Sequence, residues 1–112
     1  MYFTFDQNNS GGSYERNEDV LEYVIIEAVT ALEANCKAEE IGIYFDGCSS
    51  GLDCKCCGDR WYPLYTSDAT DGPMIYNTNV YEKYVYADDW KDASVVVYTI
   101  DGNRFYYKKE SK

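Results

Sequence analysis

Between Thr30 and Gly42 the chain carries a helix signature that most of its other periodic stretches contradict with strand-like alternation, so the fold must set a helix against a sheet. Thr30 followed by Glu33 forms a capping box, Ala31, Ala34, Ala38 and Ile41 recur at helical spacing, and Gly42 stands where a helix C-terminal glycine belongs. The spacing predicts a helix over about 31–41. Its apolar stripe is mostly alanine, which lets the helix lie close to the sheet with Lys37, Glu39 and Glu40 outward. Cys36 falls opposite that stripe, as an edge thiol.

Residues 2–6 (YFTFD) alternate and carry aromatics, a strand signal that Asn8-Asn9-Ser10-Gly11-Gly12 breaks with residues tolerant of positive φ. A short returning strand is expected at 13–15, and 20–28 (VLEYVIIEA) reads as the clearest long strand. Its Val24, Ile26 and Ala28 form an apolar row and its Tyr23, Ile25 and Glu27 a mixed one, as expected for a sheet covered mainly on one side. Residues 43–46 (IYFD) are expected to complete a βαβ unit. The span 66–79 is turn-rich and has no assignable element, 79–86 reads as a strand or a short helix, and 87–92 as a helical turn. Asp101-Gly102, between 94–100 and 103–109, is the strongest short hairpin signal, and the tail 110–112 should fray. The expectation is one α+β domain over residues 1–112: a mainly antiparallel sheet with one βαβ unit, a cysteine-rich loop and a C-terminal β-hairpin.

The chain has no histidine, which removes imidazole bases, Ser/His/Asp and Cys/His nucleophile systems and HExxH metal sites. Twenty acidic residues against ten basic ones leave a net charge of −10, which opposes nucleic acid and anionic membrane as partners. No stretch approaches the apolar length of a membrane span, and the N-terminus lacks the basic and apolar regions of a signal peptide. A cytosolic location is expected from this, and in that reducing compartment an odd count of five cysteines disfavours a disulfide framework.

Four of those cysteines fall within ten residues. Cys54-x-x-Cys57-Gly58 has the shape of a zinc knuckle, with Cys48 as the natural third ligand and Cys56, Cys36, Asp53 or a neighbouring chain as the fourth. Structural zinc, reduced thiols packed under Trp61, and redox chemistry are the three readings, and a closed zinc site would not imply catalysis. Consecutive Cys56 and Cys57 should point apart in extended backbone. Asp59, Arg60 and Trp61 follow, either as a salt bridge with cation–π packing or as a recognition element. Asn8, Asn9, Ser10, Gly11 and Gly12 either cradle an anion in a backbone nest or close a hairpin. An antiparallel meander of 2–6, 13–15 and 20–28 would bring this loop, the helix N-terminus and the cysteine loop to one sheet end; without the strand at 13–15, the cysteine loop is expected at the other. Thirteen tyrosines crowd the chain, too many for the core, and their surplus suits an interface or a homo-oligomer.

Phe5-Asp6-Gln7-Asn8-Asn9-Ser10-Gly11-Gly12-Ser13, Ile26-Glu27-Ala28, Glu39-Glu40-Ile41-Gly42 and Asp53-Cys54-Lys55-Cys56-Cys57-Gly58-Asp59-Arg60-Trp61 together resemble a family of small bacteriophage proteins with no assigned activity. The resemblance covers about residues 2–62 and implies a viral origin, with no reaction, substrate or cofactor; Cys48 departs from the family pattern, which weakens it as a ligand. The expected function is therefore that of a non-enzymatic cytosolic protein of an infected host cell that binds and inhibits or redirects a host or defence component. The alternatives are a protein that sequesters a small nucleotide signal, in a pocket of Asn8, Asn9, Gly11, Gly12 and Arg60, and a zinc-stabilised accessory protein.

Overall fold

The structure, a computed structural model, describes residues 1–9, 12–53 and 55–109. Strand β1 (Tyr2–Asp6) pairs antiparallel with β2 (Tyr23–Glu27), setting Phe3 opposite Ile26 and Phe5 opposite Val24 on one buried face. Helix α1 (Ala31–Glu40) starts where Thr30 Oγ1 accepts the Glu33 N–H at 3.2 Å, and it stops at Gly42, whose φ of +108° suits a residue without Cβ. Ala34 and Ala38 seat it against that face, fully buried, while Cys36 is exposed.

The chain continues through a one-turn helix α2 (Gly47–Ser50), a 3-10 turn at Thr66–Asp68, a small ribbon of β3 (Met74–Ile75) with β4 (Thr78–Asn79), and a short helix α3 (Val80–Lys83) capped by Asn79. Strand β5 (Tyr84–Ala87), a 3-10 turn at Trp90–Asp92, β6 (Val95–Tyr98) and β7 (Arg104–Lys109) complete it. The five-stranded sheet has the order β1-β2-β6-β7-β5 and is antiparallel except where β2 meets β6. It is a small α+β fold, with the C-terminal hairpin where Asp101-Gly102 announced it.

Three expectations need correction. Residues 13–15 form no strand: the Gln7 side chain takes the place of a neighbour, accepting the Glu15 N–H on Oε1 at 2.6 Å and donating from Nε2 to the Glu15 carbonyl at 3.1 Å. Residues 43–46 form no strand either, and the parallel neighbour of β2 is β6, so the βαβ unit closes far later in the chain than expected. Beside β2 a strand is covered on both faces. All four residues of β6 (VVVY) are buried, whereas 43–46 end at the exposed Asp46. The sheet is not covered on one side only, because Ile75 and Val80 close over Ile25, Val95 and Val97 on the face opposite α1. Ser10, Gly11, Cys54 and the tail 110–112 lie outside the described residues.

Candidate functional site

Because β1 and β2 pair directly, the loop after Asp6 lies at the Tyr23 end of the sheet and the start of α1 lies at the other. Helix α1 then carries the chain back, so the cysteine loop meets the Asn8 loop even without a strand at 13–15. Asn8 Nδ2 donates to the carbonyls of Cys57 (3.1 Å) and Asp59 (3.0 Å), and its own N–H donates to the Arg60 carbonyl at 2.9 Å. The two loops therefore meet, and the expectation that the cysteine loop would lie at the other sheet end without a strand at 13–15 is corrected. The helix N-terminus is not part of it.

At the seam the buried Gln7 carboxamide has every hydrogen-bonding position filled: Nε2 donates to the carbonyls of Glu15 and Leu21, and Oε1 accepts from the Glu15 N–H and from Arg60 Nη1 (2.8 Å). Arg60 Nη1 also donates to the Ser13 carbonyl at 3.0 Å, and its Nε to the Tyr44 hydroxyl at 3.3 Å. Asp53 receives the Arg60 N–H on Oδ2 (2.8 Å) and the Tyr44 hydroxyl on Oδ1 (2.9 Å). Burial and that carboxylate push the Tyr44 phenol up from its ordinary value. A Cβ on Gly47 would stand 1.9 Å from Asp53 Oδ2, so any other residue there forces the Asp53 carboxylate to move. Arg60 thus pairs with Asp53 and Glu15, not with Asp59, whose Oδ1 accepts the Cys48 N–H at 2.9 Å. Trp61 is 1 % exposed, a core side chain out of a partner's reach, with its indole N–H unpartnered among the described residues. Of the residues picked out for recognition, Asn8, Asp59 and Arg60 therefore join two loops internally, and Trp61 belongs to the core. Gln7, Glu15 and Tyr44 hold the same seam without having been singled out as site residues, since isolated polar residues carry no spacing signal, and Asp53, a candidate metal ligand, accepts from Tyr44 and Arg60 there.

A larger hollow lies away from the seam. A groove of about 890 Å³ runs between β2, the β3–β4 ribbon and the β5–β7 edge, and it is lined by Arg16, Lys83, Lys91, Lys108 and Lys109 together with Tyr14, Tyr23, Tyr76 and Tyr84. Half of the chain's ten cations therefore border one groove, against two lining carboxylates, Glu22 and Asp92. Arg16 is held in place by Glu22 and by donation from Nη2 to the carbonyls of Trp90, Lys91 and Ala93. None of the four lysines forms an ion pair among the described residues.

Tyr14, Tyr23 and Tyr76 also border a second hollow, of about 530 Å³, lined by Asp6, Asn8, Asn9 and Tyr62. Tyr76 is 78 % exposed, holds a left-handed φ of +54°, and donates its hydroxyl to Asp6 Oδ2 at 2.9 Å. A bulky residue in that conformation is uncommon and is found where structure around it enforces it. Asp6 raises the Tyr76 phenol, and burial lifts Tyr23 to about 12, so both are hydrogen-bond donors at neutral pH. Of the surplus tyrosines, Tyr14, Tyr62, Tyr65, Tyr76, Tyr81 and Tyr86 are exposed, while Tyr81 and Tyr86 also pack tilted or edgewise on Tyr107.

Of the candidate metal ligands, Cys48 and Cys57 are half-buried and Cys56 is exposed, and no group of three or more His, Cys, Asp or Glu able to hold a metal occurs among the described residues. No described helix is long and apolar enough to cross a membrane. Neither a curated protein nor a solved structure matches the chain. A family model described as a domain of unknown function, DUF7296, matches residues 1–112, beyond the stretch that carries the phage resemblance, and the chain belongs to that family.

Proposed function

We propose that this protein is a phage-encoded, cytosolic, non-enzymatic binding protein that holds a small phosphorylated aromatic ligand, a nucleotide, in the lysine–tyrosine groove. The observation that carries this reading is the concentration of five of ten cations around one groove in a chain of net charge −10. Lysines meet phosphate as point charges, tyrosine rings offer a face to a base, and the acidic remainder of the surface disfavours extended nucleic acid while leaving a short polyanion free to enter. A phage source rests on the Asn8–Gly12 and Cys54–Trp61 runs. The nucleotide alternative thus keeps its ligand but changes its pocket, since Asn8 and Arg60 are engaged at the loop seam.

Thermal unfolding with a panel of nucleoside mono-, di- and triphosphates and cyclic dinucleotides tests it. A ligand at 100 times its Kd adds about 2.7 kcal/mol, about 11 °C in Tm for a chain of this length. Inorganic triphosphate should shift Tm less than its nucleoside counterpart, because it offers nothing to stack. A flat panel sinks the proposal. A second reading, a host or defence protein gripped by exposed tyrosines, is favoured by Tyr62, Tyr65 and Tyr86 lying outside the groove, and it is supported instead if nucleotides fail and a stoichiometric host partner co-purifies.

A further inference from the structure

Cys56 and Cys57, expected from extended backbone to diverge, sit in a turn that brings their Sγ atoms within 3.7 Å of each other. The turn is anchored just beyond them: Asn8 Nδ2 grips the Cys57 and Asp59 carbonyls on either side of Gly58, whose φ is +83°. Two sulfurs each 2.3 Å from one tetrahedral ion lie about 3.8 Å apart, so the pair already has the spacing of a two-thiolate chelate. A disulfide would need the sulfurs to close to about 2.05 Å, a contraction that chelation does not require. Cys56 is exposed, so an ion can reach the pair from solvent.

We propose that Cys56 and Cys57 form a bidentate thiolate site for a thiophilic divalent ion of the zinc class, independent of the groove. Binding forms two metal–sulfur bonds and releases the two thiol protons to solvent, with no change of oxidation state. The test is titration of the reduced full-length protein with Cd²⁺ in weak buffer at pH 7, reading thiolate-to-metal charge-transfer absorption and proton release. The expected result is an endpoint at one ion per chain with close to two protons released, lost in C56S and in C57S and retained in C36S and C48S. Absence of the band, or its survival in C56S or C57S, overturns the proposal. So does its loss in C48S with an unchanged urea midpoint, which would mean a wider cage. Should C57S fail to fold, C56S decides, because its side chain is at the surface.

Discussion

Replacing Gln7 by Leu removes four hydrogen bonds at the seam while keeping most of the side-chain volume. Glu15 is exposed, so water can satisfy its N–H and carbonyl. The Leu21 carbonyl receives a bond buried throughout, and Arg60 Nη1 loses an acceptor it meets across 53 residues of chain. Each buried group left unsatisfied costs about 1–3 kcal/mol, so the substitution should cost about 2–6 kcal/mol. A chain of this length has a total stability of about 6–17 kcal/mol, so Gln7→Leu removes a large share of it. Urea unfolding followed by circular dichroism measures this as a fall in midpoint at unchanged slope. Gln7→Glu should fare little better, since it loses both Nε2 donors and sets a carboxylate against the Leu21 carbonyl. A cost below 1 kcal/mol for Gln7→Leu would refute the reasoning that this carboxamide holds the two loops together.

Gly47→Ala forces a methyl onto the Asp53 carboxylate and should cost about 1–3 kcal/mol, a lowered Tm with the groove left intact; an unchanged Tm contradicts the close approach. Tyr98 is buried, its phenol is raised to about 12 chiefly by that burial, and its hydroxyl donates to the Asp19 carbonyl at 2.6 Å. Unfolded, it ionises near 10, so the stability tied to its protonated form is complete below pH 10 and is lost as pH rises through 12. Tyr98→Phe should cost about 1 kcal/mol at pH 7 and flatten the alkaline decline, and equal declines in both proteins would show that Tyr98 does not drive it.

The helix and the C-terminal hairpin were legible because their signals are local: Thr30, Glu33 and Gly42 act within the helix, and Asp101-Gly102 within one turn. The choice of parallel partner for β2 was not, because Ile43–Asp46 has acceptable strand propensity and only the two-sided burial at the sheet centre selects Val95–Tyr98. The strand expected at 13–15 failed for a related reason, since a single buried Gln7 side chain can satisfy a backbone that would otherwise pair. At the loop seam the right residues drew notice as recognition elements, but Asn8, Asp59 and Arg60 turned out to bind the protein's own loops. The groove was illegible altogether, because Arg16, Lys83, Lys91 and Lys108-Lys109 come from separate stretches that only the sheet order brings together.

The most direct measurement is calorimetric titration of the protein with the nucleotide that most raises its Tm, set beside the Lys83→Ala/Lys109→Ala double variant at two salt concentrations. One site per chain is expected, with affinity falling as salt rises. The variant should remain folded and bind about 30-fold more weakly, from about 1 kcal/mol per lysine. Equal affinity in the two proteins, or binding indifferent to salt, would contradict a groove that works through its lysines.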